Sequence, residues 1–160
     1  MNKTALITGG SHNIGQGIAI VLAEHGYDVA ITYNSRKDGA IETQQEIEKL
    51  GRKCFIYQAS LEKAEVPQQI VDQAHKDLGR LDLMVCNAGN GGFRGSILTI
   101  TPENVDEVYT VNFRNYMLCA CAALFCRRPV TLRGGDCVSK SYEDFWRDYT
   151  RLGGKMIELD

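Results

Sequence analysis

Thr4-Ala5-Leu6-Ile7-Thr8-Gly9-Gly10-Ser11-His12-Asn13-Ile14-Gly15 is the stretch on which the fold turns. Thr4 to Thr8 reads as a short buried strand. A glycine-rich turn follows, and then an apolar run, about Ile14 to His25, continues as a helix until Gly26 stops it. Glycine lets the backbone turn sharply and approach a ligand closely. The N-terminus of the helix presents free N–H groups and a positive dipole end, which suits a pyrophosphate. Many such turns serve only tight strand-to-helix packing. Here a second strand begins soon after the helix, the context in which the turn holds a dinucleotide.

Outward from this turn the chain alternates. Asp28 to Tyr33 is expected as strand two, with a loop over Asn34 to Asp38. A helix from Ala40 to Leu50 carries Ile41, Ile47 and Leu50 on one face and stops at Gly51. Lys53 to Tyr57 is strand three, Val66 to Leu78 a helix stopped by Gly79, and Leu81 to Cys86 strand four. Short loops between alternating strands and helices imply a parallel sheet with right-handed crossovers, and near-continuous apolar strands imply that both faces are covered. The fold class is therefore α/β, a doubly wound parallel sheet of Rossmann type. After a glycine-rich loop over Gly89 to Ile100, Thr101-Pro102-Glu103 supplies an N-cap, a proline at the first helical position and an acid in the first turn. The helix it begins extends to about Cys126.

The 160 residues are 44% hydrophobic and 24% charged, with net charge −2. The weak acidity argues against nucleic acid as a partner. No run reaches the roughly 18 apolar residues of a membrane span. Met1-Asn2-Lys3 leads into a strand too short and wrongly flanked for a signal peptide. The six cysteines show no metal-like spacing with the three histidines, so no metal is expected and the thiols read as reduced and buried, as in a cytoplasmic protein.

Thr8-Gly9-Gly10-Ser11-His12-Asn13-Ile14-Gly15 resembles the Thr-Gly-x-x-x-Gly-x-Gly motif of short-chain dehydrogenases/reductases, with Asn13 where that family has its middle glycine. Asn tolerates left-handed backbone better than most residues. Cys86-Asn87-Ala88-Gly89 resembles the family's Asn-Asn-Ala-Gly, and Val111-Asn112-Phe113 its Val-Asn-x. The resemblance covers residues 1 to about 125 and implies a dinucleotide site made of Thr8, Gly9, Ser11, His12, Asn13, Ile14, Gly15, Asn34, Ser35, Arg36, Ser60, Leu61, Asn87, Ala88 and Gly89. In the family the second Asn ties neighbouring strands and Ala-Gly leaves room for the ribose. Ser60-Leu61 stands where the family has Asp-Val against the adenine, so that contact loses its charge. An acid at the end of strand two would favour NAD. This chain has Tyr33-Asn34-Ser35-Arg36-Lys37, which suits the 2′-phosphate of NADP, although a basic loop is also a common solvated feature.

The implied reaction is hydride transfer between NADP(H) and a small-molecule carbonyl or alcohol, as in 3-oxoacyl-carrier-protein reductases. The family's catalytic residues are an Asn, a Ser, and a Tyr with a Lys four positions later. Asn112 matches the first, although a helical Asn is equally well satisfied by its own turn or by water. The only Tyr with a Lys four residues on is Tyr33, in a strand-to-loop stretch beside the adenosine, and that pair is rejected as catalytic. The expectation is a cofactor-binding domain over 1–125, incomplete on its C-terminal side, with little turnover. A tail over 126–160 carries an amphipathic helix at about 141–152, where Tyr142, Phe145, Trp146, Tyr149 and Leu152 recur at helical spacing. A non-catalytic NADP-binding module and an incomplete fragment with a protein-interaction tail stand as alternatives. A homo-oligomer is compatible with either.

Overall fold

The computed structural model describes residues 2–92, 95, 97–123, 131–133, 147, 150 and 151. Five strands form one parallel sheet: β1 (Lys3–Ile7), β2 (Tyr27–Tyr33), β3 (Cys54–Gln58), β4 (Leu83–Val85) and β5 (Thr131–Arg133), in the order β3-β2-β1-β4-β5. Three helices connect the first four strands: α1 (Asn13–Glu24), α2 (Lys37–Lys49) and α3 (Val66–Leu78). Register follows from the apolar runs, with Ala5 opposite Val29 on one side of β1 and Leu83 on the other.

Period-two alternation divides the core between the two faces of the sheet. Ala5, Ile7, Val29, Ile31, Leu83 and Val85 pack under α1 and α2 with Ala19, Ala23, Ala40 and Ile47. Leu6, Ala30 and Met84 point the other way, against Ile70, Val71 and Ala74 of α3 and Cys119 and Ala122 further along the chain. Both faces are therefore dry, which is why the strands carry almost no polar alternation. Asp28, the buried acid of β2, is neutralised locally. Asn2 Nδ2 donates to its Oδ2 at 2.9 Å, the Lys53 N–H to its Oδ1 at 3.0 Å, and Arg52 Nε lies 3.3 Å from Oδ1.

The glycine stops operate as expected. Gly26, Gly51 and Gly79 follow α1, α2 and α3 with φ of 86°, 71° and 76°. Helix α2 begins at Lys37, earlier than the loop drawn from the sequence. The expected helix from Thr101 is three segments: α4 (Pro102–Tyr109), one π-helical turn (Thr110–Arg114) and α5 (Asn115–Ala123). Its start is as read. The Thr101 side chain accepts from the Asn104 N–H at 3.4 Å, and the Asn104 side chain accepts from the Thr101 N–H at 3.1 Å.

Strand β5 lies beyond residue 125 and pairs with β4, Met84 opposite Leu132, so the sheet runs on past the boundary drawn from the sequence. A strand over these residues was not expected from Cys126 to Leu132. Most of the helix expected at about 141–152 lies outside the described residues; Arg147, Thr150 and Arg151 are helical.

Candidate functional site: a cleft at the crossover of the sheet

The chain moves outward from β1 through β2 to β3, then returns to the other side of β1 for β4. The loops leaving β1 and β4 therefore diverge, and a crevice opens at the C-terminal ends of these two strands, the position where open α/β sheets take their ligands. A cleft of about 540 Å3 occupies it. The glycine turn forms its floor, the residues after β2 one wall, and Asn87 to Asn90 the other.

Thr8 is buried beneath the cleft and organises it. Its Oγ1 accepts from the N–H groups of Asn87 and Ala88, both at 3.0 Å. Asn87 Nδ2 returns the link, donating to the carbonyls of Thr8 at 3.0 Å and Gly9 at 3.1 Å. On the other side Thr32 accepts from the N–H groups of Gly9, at its Oγ1, and Gly10, at its carbonyl, while Thr43 Oγ1 donates to the Gly10 carbonyl at 3.1 Å. A side chain at Gly15 would run into the Gly9 carbonyl and Asn87 Nδ2. That glycine brings α1 close against the ends of β1 and β4.

Asn13 takes the left-handed conformation with φ 49°, the one non-glycine residue to do so among the described residues. The strain that the family's glycine avoids is thus carried by the residue type best able to bear it. His12 occupies the N-cap in extended conformation without a side-chain cap bond. The first hydrogen bond of the helix is from Gln16 N–H to the His12 carbonyl at 3.3 Å, leaving the earlier N–H groups without an intrahelical acceptor. Ile14 and Gly15 line the cleft at this end, and the donors of a helix start suit phosphate oxygens.

Asn34, Ser35 and Arg36 line the wall after β2, with no acid among them. Together with Gly9, Ser11, His12, Asn13, Leu61, Asn87, Ala88 and Gly89, they place on the cleft every residue expected there except Thr8 and Ser60. Thr8 acts from below. Ser60 lines a neighbouring hollow with Tyr57 and Lys63. The chain turns there, Lys63 N–H to Ser60 carbonyl at 3.4 Å, and brings Leu61 and Glu62 back to the cleft. Ser60 is not among the residues that line the cleft itself, although its neighbours Ala59 and Leu61 are.

Asn112 sits in the π turn, and its side chain bonds Asn90 rather than its own turn. Its Oδ1 accepts from the Asn90 N–H at 2.9 Å and its Nδ2 donates to the Asn90 carbonyl at 3.0 Å. Glu107 Oε1 accepts from Asn90 Nδ2 at 2.9 Å. Asn90, Glu107 and Val111 all line the cleft, as do Thr32, Tyr33 and Glu62, and none of them belongs to the dinucleotide site that the sequence implies. The ends of parallel strands are a topological signal for Thr32 and Tyr33; Glu62 depends on the turn after β3, and Asn90, Glu107 and Val111 on the packing around the π turn. Tyr33 closes β2 and Lys37 opens α2, so the pair stands at the Arg36 end of the cleft. The phenol of Tyr57 is pushed upward by burial and by its hydrogen bond to Asp77, the opposite of what a catalytic base needs.

A model of the short chain dehydrogenase family matches residues 3–130. The chain belongs to this family. It is 34% identical over 119 residues to a 3-oxoacyl-[acyl-carrier-protein] reductase of Staphylococcus epidermidis, covering 74% of this chain and 48% of that protein. The 1-cyclohexenylcarbonyl-CoA reductase of Streptomyces collinus is 34% identical over 161 aligned positions, 99% of this chain and 56% of the relative, so that alignment runs through the tail. A short chain dehydrogenase from Burkholderia cenocepacia J2315, solved in complex with NADP, superposes with a TM-score of 0.78 at 31% identity, covering 93% of this chain and 69% of that one. The chain spans 39% to 48% of the length of the first curated relatives that it matches. No helix among the described residues is long and apolar enough to cross a membrane.

Proposed function

We propose that the cleft binds NADP(H), as part of an oxidoreductase that moves hydride between the cofactor and a carbonyl or alcohol substrate of the 3-oxoacyl-carrier-protein reductase kind. The observation that carries this reading is the union, in one cleft, of the α1 N-terminus with an acid-free, Arg36-bearing wall after β2. The N–H groups at the start of α1 would hold the pyrophosphate, and Arg36 with Ser35 the 2′-phosphate. Ala88 and Gly89, held to β1 through Thr8 and Asn87, would pack against the ribose. Bound NADP(H) would supply the hydride; the chain's own residues bind and orient it. A solved relative with NADP bound supports the choice of cofactor.

Fluorescence titration with NADPH tests the reading. Saturable binding below millimolar cofactor is expected, and Arg36→Ala should weaken NADPH by roughly tenfold or more, given about 1.5–3 kcal/mol for a hydrogen bond to a charged group, while leaving NADH nearly unchanged. No saturable signal at millimolar cofactor would overturn it.

A second reading, cofactor binding with little turnover in this 160-residue chain, is favoured by the engagement of Asn112. It is the one matched position of the family's catalytic set, and both polar groups of its side chain hold the Asn90 backbone. Reduction of common ketones at rates typical of the family would sink it.

A further inference from the structure

Gly39, in the first turn of α2, has no room for a side chain: a Cβ there would stand 2.3 Å from the Ser11 carbonyl oxygen. Ser11 belongs to the glycine turn, so the start of α2 is pressed directly on that turn. A buried hydroxyl locks the contact. Thr43, one helical turn after Gly39 and fully buried, shares its single hydroxyl proton between the carbonyls of Gly39 at 2.8 Å and Gly10 at 3.1 Å. Its oxygen accepts in turn from Gln16 Nε2 of α1 at 3.1 Å. One oxygen atom thus joins α1, α2 and the turn between β1 and α1. Holding the Gly10 carbonyl also holds the peptide to which it belongs. The carbonyl and N–H of a trans peptide point in opposite directions, so the Ser11 N–H is directed away from Thr43. That N–H has no backbone acceptor among the described residues. Arg36 stands immediately before α2, and its carbonyl accepts from the Ala40 N–H at 3.2 Å, so the residue moves with the helix. Ser11 and Arg36 both line the cleft, and Thr43 is not among the lining residues.

We propose that Thr43 is a positioning residue for cofactor choice: it fixes the separation between the glycine turn and the Arg36 wall, and so favours NADP(H) over NAD(H). This rests on the cofactor reading above, in which the pyrophosphate lies over the turn and the α1 N-terminus and the 2′-phosphate meets Arg36 and Ser35. A ligand that must reach both places gains most when their spacing is preset, because no ordering of the two groups is then needed on binding. NAD(H) lacks the 2′-phosphate and meets the turn alone. Loosening the joint at Thr43 therefore weakens both nucleotides through the Gly10–Ser11 backbone, and weakens NADP(H) further through Arg36. Thr43 touches neither phosphate; its effect passes through the two carbonyls that it holds. Gln16 supports it from α1 by holding the hydroxyl from the opposite side.

The test is fluorescence titration of the full chain with NADPH and with NADH, read as the ratio of the two dissociation constants. Thr43→Val keeps the shape of the side chain and removes the hydroxyl. It should weaken NADPH by about tenfold and NADH by no more than about threefold, the range that one lost hydrogen bond spans. Thr43→Ser keeps the hydroxyl and should restore the wild-type ratio. A hydroxyl that served stability alone would lower both affinities by one factor and leave the ratio where it was. An unchanged ratio in folded Thr43→Val, or a fallen ratio that Thr43→Ser does not restore, overturns the proposal. If Thr43→Val fails to fold, Gln16→Met decides. It withdraws the amide donor from the Thr43 hydroxyl and should move the ratio in the same direction by about twofold, the low end of the same range. No movement there would overturn the proposal equally. Wild-type protein that binds neither nucleotide, or binds both alike, would overturn the cofactor reading and this proposal with it. A wild-type preference for NADPH that survives loss of the hydroxyl overturns this proposal alone.

Discussion

At the glycine-turn end of the cleft, the backbone of Thr8, Gly9 and Gly10 is held from three directions: by Asn87 after β4, by Thr32 of β2 and by Thr43 of α2. At the opposite end, the loop after β4 is held at Asn90, whose two backbone groups pair with the Asn112 amide and whose side chain donates to Glu107. The first end is over-determined by bonds that converge on a contiguous motif, and contact distance is its critical quantity. The second is held at one residue by two partners on the following helical segments, the backbone clasp spanning 22 residues, and hydrogen-bond satisfaction is its critical quantity. Steric change should therefore break the first end, and loss of one polar group should loosen the second.

The largest effect is expected from Gly15→Val, because the Gly9 carbonyl and Asn87 amide that it meets are both held in place. Urea denaturation should show a loss near about 3 kcal/mol, the upper end of ordinary overpacking costs, together with loss of NADPH binding. A near-neutral result would mean that the glycine-turn end is less constrained than its bonds imply. Next is Asn112→Ala, which leaves the Asn90 N–H and carbonyl without their partner. About 1–3 kcal/mol should be lost. Asn112→Asp keeps the acceptor and loses the donor, so it should fall between. A cost equal to that of Gly15→Val would erase the contrast between the two ends.

Asp82 offers a control at the other end of the same strand pair. Its Oδ2 accepts from the Thr4 N–H at 2.9 Å and its Oδ1 pairs with Arg80. Burial pushes the carboxyl upward, but the hydrogen bonds from Arg80 and Thr4 outweigh it and hold the group below the ordinary carboxylate range. A carboxyl lowered in the folded state adds stability that is complete above its unfolded value and drains away as pH falls through the folded one. Asp82→Asn should thus cost about 1–2 kcal/mol at neutral pH. The difference from wild type should shrink below about pH 4 in melts followed by circular dichroism. A gap that widens in acid would contradict the assigned direction. The smallest effect belongs to Asn13, at φ 49°. Asn13→Gly should be neutral or gain a few tenths of a kcal/mol, whereas Asn13→Ala should lose about 1 kcal/mol, since left-handed backbone costs an ordinary residue roughly that much.

The elements that periodicity and glycine stops mark were legible. Helix α3 runs from Val66 to Leu78 as read, and α1 starts and ends within one residue of its expected bounds. The cleft was legible where its residues are contiguous: Gly9 with Ser11 to Gly15, Asn34 to Arg36, and Asn87 to Gly89. It was not legible where the outcome depends on the direction of a side chain. Ser60 turns into the adjoining hollow while Glu62 returns to the cleft, and no spacing rule distinguishes the two. The π turn at Thr110–Arg114 was read as plain helix, because one extra residue per turn leaves no mark in composition. Strand β5 escaped notice because a three-residue strand is too short to show a period.

The sequence by itself determined the strand–turn–helix at the start of the chain, the parallel sense of the first four strands and the absence of an acid at the end of β2. Local backbone preference and apolar periodicity are sufficient for these. Only the tertiary structure decided that Asn112 clasps Asn90 and that Glu62 and not Ser60 lines the cleft. Each of those outcomes depends on the rotation of one packed element against another, a quantity set by the whole core and written in no single stretch of the chain.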